Sequence, residues 1–413
     1  MKLLLGGVPL GCDNIGDEAI VGCAVGLFRK LFPDAEITVC TRDEERTAAR
    51  LQVATAPLCG FGKDPGLDGF ARLVRAHDAY IWFGATGLSD YPETALRLLR
   101  IARREGVRTV VWGVGMNSEL NPAFYRAAGR RRQLLRLFSA CCFGIVDFVA
   151  AYERFLRRRT MRHICRELSA CELVVLRDAQ SVAEVAKCGF ERAVQGADTA
   201  ILQPASEPPL PEAPGAVRIG FCISEQSVVR DLEGIRRLWD ELLDDPARRI
   251  VLIPMNPVTD RKLMLELAGR CRHRDRIECL DRDDPAAVQA CAAQCRVLVS
   301  SRLHLLILGA NAGTPGIGIE RGSKITNWLA SFGETPAGTV ESCDFSGIMR
   351  RIDSVLERPD AENRAKVRRV MAEMHRWLDA AAELLRRALN GQDDHCGLYS
   401  GSGFSRSGQR TAK

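Results

Sequence analysis

Short apolar runs alternate with longer amphipathic stretches along most of this chain. Residues 1–5 are apolar and lead into a Gly/Asn/Asp loop, after which 17–31 carries helical spacing. Residues 36–40 (EITVC), 79–83 (AYIWF), 109–112 (TVVW) and 172–176 (ELVVL) are further apolar runs, and 193–194 continues the series. Short apolar runs bounded by turn residues read as buried strands. Strands that alternate with helical stretches predict a parallel, doubly wound sheet.

Residues 203–217 (QPASEPPLPEAPGAV) hold five prolines and little to bury, which marks a linker. Beyond it the alternation restarts. Strands are predicted at 217–223, 250–254, 277–280, 297–301 and 316–319, and helices near 232–244, 259–271 and 285–294. A charged helix follows at 361–390. The predicted fold class is α/β, with two doubly wound, parallel-sheet (Rossmann-like) domains in a GT-B-like arrangement. The N-terminal domain covers 1–205, the linker 206–217, the C-terminal domain 218–358 and the last helix 359–390. The small, polar tail at 391–413 is predicted to be disordered. Two such domains face each other across a cleft lined by sheet edges.

With 413 residues, 46% of them hydrophobic, the chain can fill two cores. Its sixteen cysteines include no C-x-x-C pair, and the first apolar run is too short for a signal segment. Both features predict a reduced, cytoplasmic protein without a structural metal. The net charge of +6 is unevenly spread, because 126–166 holds eleven arginines against Asp147 and Glu153. These arginines belong to a basic helical insertion at about 119–170. The apolar run inside it, 134–151, is interrupted by Arg136 and Asp147 and makes a poor membrane span. Two readings stand. One is a helical pair packed on the domain with its arginines in water. The other is a surface, from Arg126 at one end to Arg166 at the other, that attracts a polyanionic acceptor or anionic lipid at the inner face of the plasma membrane. Nucleic acid is not expected as a partner, because aromatics do not interleave with the arginines.

The candidate chemistry lies at strand ends. Residues 294–301 (QCRVLVSS) predict a strand that hands over to a helix at Arg302-Leu303-His304, and 314–320 (TPGIGIE) another that leads to Lys324. Consecutive parallel strands bring such ends to one sheet edge. Free N–H groups, two cations and a histidine converging there predict an anion site with acid–base chemistry. Taken singly, Arg302 and Lys324 read as solvated and His304 as a core histidine bonded to a carbonyl. Asn14-Ile15-Gly16-Asp17-Glu18-Ala19 lacks a Walker lysine and a GxGxxG pattern, and its carboxylates would repel phosphate. Asp17 there reads either as an N-cap or, with Asn14 and Glu18, as a contact to sugar hydroxyls and their base. Arg177 is a candidate anion contact across the cleft, Asp178 an N-cap. Asp198 and Asn256 also fall at strand ends.

Together, the N-x-G-D-E-A stretch, Arg177-Asp178-Ala179-Gln180-Ser181, Asp198 and Arg302-Leu303-His304 with Lys324 resemble the polysaccharide pyruvyl transferase family over most of 1–335. The resemblance implies a GT-B-like protein that moves pyruvate from phosphoenolpyruvate onto two hydroxyls of a sugar or lipid-linked saccharide, forming a ketal. It implies that Arg302 and His304 hold phosphoenolpyruvate, with Lys324 and Arg177 as further site residues. No cofactor beyond that donor substrate, and no metal, is implied. The candidate catalytic residues are His304 and Asp17; the candidate substrate-binding residues are Arg302, Lys324, Arg177, Asn14, Glu18 and Asp198. Two departures stand out: Asn256 occupies the histidine position of the family's Pro-Met-His…Asp stretch, and the arginine-rich insertion is long. A nucleotide-sugar glycosyltransferase, with Glu320 holding the ribose, and a non-enzymatic glycan-binding relative are the alternatives.

Overall fold

The computed structural model describes residues 1–61, 66–143, 145–211 and 214–391. The tail at 392–413 lies outside the described residues, so the expectation of disorder there has no structural counterpart.

Seven strands form the first sheet: β1 (Lys2–Gly6), β2 (Glu36–Thr41), β3 (Ala54–Pro57), β4 (Ala79–Phe83), β5 (Arg108–Val114), β6 (Leu173–Leu176) and β7 (Val194–Gln195). Their order is β3-β2-β1-β4-β5-β6-β7, and every pairing is parallel. Five strands form the second: β8 (Val217–Cys222), β9 (Arg248–Leu252), β10 (Ile277–Cys279), β11 (Val297–Ser300) and β12 (Gly316–Gly318). These too are all parallel, in the order β10-β9-β8-β11-β12. Chain order reverses between β1 and β4 in one sheet and between β8 and β11 in the other. Such switch points open crevices at the carboxyl ends of the strands, where ligands of doubly wound sheets bind.

The strands are apolar throughout because helices cover both faces of each sheet. β4 (AYIWF) is fully buried, as are the last six residues of β5. β3 (ATAP) carries almost no apolar signal and is found only by its pairing with β2 at the sheet edge.

Two features tie the halves together. The linker is not free: Ser206 Oγ donates to the Ala286 carbonyl (2.9 Å), and the Gln294 side chain accepts from the Leu210 N–H (3.2 Å) and donates to its carbonyl (2.8 Å). The last helix, Asp360–Asn390, buries Val367, Met371, Met374, Leu378, Ala381, Leu385 and Leu389, a three-to-four spacing that makes one apolar stripe. That stripe joins a core shared by Leu173 and Val175 of the first sheet and Leu303 and Ile307 of the second half.

The basic insertion forms two helices, Gly129–Cys141 and Phe148–Ser169. Only the inner end of the second is packed, through Ile164, Glu167 and Leu168. The first buries no residue, so a pair packed on the domain along its length is not what forms.

Candidate active site

Ser300 ends β11 and makes a tight turn: its Oγ accepts from the Arg302 N–H (2.9 Å) and donates to the Arg302 carbonyl (2.7 Å). The chain then enters the helix Leu303–Asn311 with His304 in its first turn. His304 Nε2 lies 3.6 Å from Asp198 Oδ2, and neither atom has a hydrogen-bond partner although both are buried. Asp198 caps the short 3-10 helix Thr199–Leu202, accepting from the Ala200 N–H (3.0 Å), and faces Arg177 Nη1 at 3.7 Å. Burial pushes the Asp198 pKa up, but His304, Arg177 and the Ala200 N–H outweigh it and hold it below the ordinary value. An ionised Asp198 therefore faces the imidazole.

The other half presses on the same ring. A Cβ on Gly16 would sit only 2.1 Å from His304 Nδ1. The glycine of N-x-G-D-E-A is thus demanded by a histidine almost three hundred residues away in sequence. The Ile15 N–H also donates to the Met255 carbonyl (3.0 Å), joining the start of the first helix to the second half.

The cations differ in what neutralises them. Arg302, expected as a free anion clamp, instead donates from Nε (3.0 Å) and Nη2 (2.8 Å) to both oxygens of Asp260, which is fully buried. It lines the cleft, but its charge is already paired. Arg177 bonds Asp178 Oδ2 (3.2 Å) and lies over Gly115, where a Cβ would meet the guanidinium at 2.5 Å. Arg321, not among the expected residues, donates from Nη1 to Ser224 Oγ (2.7 Å) and to the Gln226 carbonyl (2.6 Å), and it pairs with no carboxylate among the described residues. Burial, with the Arg302 charge, pushes its pKa down to about 10. Lys324, in the first turn of the helix Ser323–Ala330, makes no hydrogen bond or ion pair among the described residues. Burial and then the Arg321 charge push its pKa down to about 8, against the pull of Asp90 and Asp17.

The first half supplies the acidic wall. Asn14 is the N-cap of the helix Ile15–Leu31, accepting from the Gly16 N–H (3.1 Å), so Asp17 is not. Asn14 Nδ2 also donates to Asp17 Oδ2 (2.7 Å). Burial raises the Asp17 pKa, opposed chiefly by His304 and the Asn14 bond. Glu18, expected beside it, is about 100° further round the helix. It faces Arg50 at 3.6 Å and is not among the residues that line the cleft cavity. Asp90 and Tyr91, from the turn after β4, take its place. Asp90 accepts from Thr86 Oγ1 and from Asn117 Nδ2 (3.0 Å). The buried Tyr91 hydroxyl has no partner, and burial, with Asp17 and Asp90, holds its pKa well above the ordinary value. The sequence marked only the small residues 84–87 of this turn.

These walls enclose a cavity of about 220 Å3. A second, of about 320 Å3, adjoins it through Arg177, Leu303 and Lys324, and contains Asp198. Asn256 lies outside the lining: its Oδ1 accepts from the N–H groups of Val258 (3.0 Å) and Thr259 (2.8 Å), just ahead of the helix Thr259–Ala268. Glu320 is likewise outside, with its backbone paired to Gly338 and Val340. Among the described residues no three His, Cys, Asp or Glu side chains group as a metal site requires.

The motifs that build this cleft coincide with a known sequence family. The family profile of the polysaccharide pyruvyl transferases matches residues 14–323. This chain belongs to the polysaccharide pyruvyl transferase family. The match begins at Asn14 and takes in Arg177, Asp198, Arg302 and His304, with Lys324 one residue beyond its end. Among curated proteins, none matches this family member. Solved structures share its fold at low identity. A candidate UDP-N-acetylglucosamine 2-epimerase from Listeria monocytogenes is 10% identical, with a TM-score of 0.62 over 95% of this chain and 96% of that one. The UDP-GlcNAc 2-epimerase of Neisseria meningitidis, bound to UDP-GlcNAc, is 13% identical with a TM-score of 0.57, covering 95% and 100%. Anabaena HepE, in complex with UDP and glucose, is 12% identical with a TM-score of 0.55, covering 93% and 98%. At these identities the likeness is one of fold, that of GT-B glycosyltransferases and epimerases.

Proposed function

We propose that this protein transfers the pyruvyl group of phosphoenolpyruvate onto two hydroxyls of one sugar, in a cell-surface polysaccharide or its lipid-linked precursor, forming a cyclic ketal. One observation carries this reading: Lys324 and Arg321 are half-buried cations without a carboxylate partner among the described residues, beside a histidine that faces an ionised aspartate. Buried charge is costly unless something compensates it, and a small dianion in the cavity supplies the compensation.

The donor carries a carboxylate, a phosphate ester and a terminal methylene. His304, which faces Asp198 at 3.6 Å, gives a proton to the methylene carbon, which becomes the ketal's methyl group. The carbon bearing the phosphate turns electron-poor and takes an oxygen of the acceptor, whose proton passes to Asp17. Phosphate leaves with its bonding electron pair, and the second hydroxyl closes the ring. Of the two hydroxyl protons, one replaces that given by His304 and the other leaves with phosphate. Lys324 and Arg321 stabilise the charge that grows on the leaving group.

The test is incubation with phosphoenolpyruvate and a panel of lipid-linked and nitrophenyl sugars, following phosphate release and ketal formation. A protein that ignores phosphoenolpyruvate but binds a nucleotide sugar is a glycosyltransferase instead. The position of Glu320 outside the cavity argues against that outcome.

Two further results are expected. The first concerns pH. Phosphate monoesters are fully ionised well above pH 6, so the donor's charge is constant there. Lys324 loses its proton near pH 8, so phosphoenolpyruvate affinity should fall as pH rises through 8. In the free protein the sign is opposite for stability. The folded pKa of about 8 lies below the ordinary 10.5, so the unfolded chain binds more protons in between and stability rises from pH 8 to 10.5. Lys324→Met should remove both slopes and weaken binding by roughly ten- to a hundredfold. Calorimetric titrations at several pH values check this, and an affinity flat across pH 8 for the wild type contradicts it.

The second separates Asp17 from its neighbour. Asn14→Ala should cost about 1 kcal/mol of stability through the lost cap. The raised pKa of Asp17 means that its charge destabilises the fold above that pKa, so Asp17→Asn should melt no lower than wild type at neutral pH while losing turnover. Melting curves beside phosphate-release rates decide it. Wild-type turnover in Asp17→Asn removes Asp17 as the base.

A further inference from the structure

Among the described residues, the helical hairpin Gly129–Cys141 and Phe148–Ser169 carries most of the exposed large apolar side chains. Leu134, Leu137, Phe138 and Cys141 recur at three- and four-residue spacing on the outer helix, which puts them on one face, and all four are exposed. The turn that follows adds Phe143 at 92% and Ile145 at 85% exposure. Globular surfaces in water rarely keep such a continuous apolar stripe uncovered.

The charges around it have one sign. All eleven arginines between 126 and 166 are exposed, and among the described residues only Arg166 reaches a carboxylate, Glu167 at 2.9 Å. The stretch's own acids are occupied, Asp147 as the cap that accepts from the Ala150 N–H (2.9 Å) and Glu153 accepting from the Ala127 N–H (3.1 Å). We propose that this hairpin docks the protein on an anionic bilayer, with its apolar tip among the acyl chains and its arginines on lipid headgroups. An amphipathic surface with a basic polar flank binds such a bilayer through both buried apolar area and charge. No described helix is long and apolar enough to cross a membrane, so the contact is interfacial.

The hairpin's base places the cleft beside that surface. Arg154, Arg157, Arg158 and Arg162 line a groove of about 410 Å3 whose opposite wall includes Ser118. The Ser118 N–H donates to Ser323 Oγ (3.0 Å), and Ser323 is the neighbour of Lys324. The groove therefore reaches a residue bonded to the neighbour of Lys324, a route open to the phosphorylated head of a lipid-linked acceptor. Docking itself does not depend on the proposed transfer reaction.

The test is co-sedimentation of the full chain with phosphatidylcholine vesicles, with and without phosphatidylglycerol. Wild type should pellet with the anionic vesicles, less so at high salt, and stay in the supernatant with neutral ones. The triple variant Leu137→Ser, Phe143→Ser, Ile145→Ser should lose about tenfold or more in partitioning. Arg130→Gln, Arg132→Gln and Arg136→Gln should cost roughly fivefold per charge. All six positions are exposed and remote from the cleft, and circular dichroism checks that the variants fold. Wild type that stays in solution with anionic vesicles overturns the proposal, as does binding that neither variant weakens. Self-association in the absence of lipid that the apolar variant abolishes overturns it too, by assigning the stripe to a second copy. Phosphate release is not measured, so failure here is separate from failure of the transferase reading.

Discussion

His304→Ala should lower turnover by roughly two to four powers of ten while phosphoenolpyruvate still binds at near wild-type affinity. The imidazole lies between a charged carboxylate, Asp198 at 3.6 Å, and the cation-lined cavity. Removing it takes away the proton donor but leaves Lys324 and Arg321 to hold the anion. Asp198→Asn should give a smaller loss, because it leaves the ring in place and removes only the carboxylate charge facing it. Single-turnover phosphate release, set beside calorimetric binding of phosphoenolpyruvate, separates the two effects. If His304→Ala binds weakly but turns over bound donor at the wild-type rate, the histidine is a ligand and not the acid.

Arg302→Ala should act mainly on folding, with a loss of about 3–5 kcal/mol. Its partner Asp260 is fully buried and would be left as an uncompensated charge. Asp260 also accepts from the N–H groups of Glu225 (2.9 Å) and Asn256 (3.0 Å), so it cannot swing out to water without breaking two loops on the cleft wall. The pair Arg302→Met with Asp260→Asn should recover much of the loss, since it removes both charges and keeps an acceptor for one of those N–H groups. Urea unfolding midpoints for the single and double variants measure this. An Arg302→Ala protein as stable as wild type would mean that the guanidinium is free for substrate after all.

Arg302 illustrates where sequence reasoning reaches and where it stops. Its position at a strand-to-helix junction follows from the apolar run 294–301 and the helical spacing after it, both local properties. Its charge state in the site does not, because the carboxylate that neutralises it lies forty-two positions away on the far side of β10. Glu18 and Asp17 part company for a similar reason. They are adjacent in sequence, yet one helical step turns one towards Arg50 and the other towards the cavity. Arg321 carries no motif of its own. Only the path of the chain after β12 brings it under Ser224 and Gln226, and the sequence offered no signal beyond its closeness to Lys324. Asp90 and Tyr91 had one faint sign, the glycine-rich turn that ends β4 a few residues earlier.

The sequence by itself determined the α/β alternation, the family and the positions of His304 and Lys324 at sheet edges. These rest on short-range periodicity and on the steric demands of strand-to-helix turns. The tertiary structure alone decided which cations stay unpaired, why Gly16 must be a glycine and that the arginine-rich hairpin leaves its apolar face in water. Each of these depends on which distant groups meet in a buried place. There burial makes an unpaired charge or a misplaced Cβ cost several times what it would at the surface.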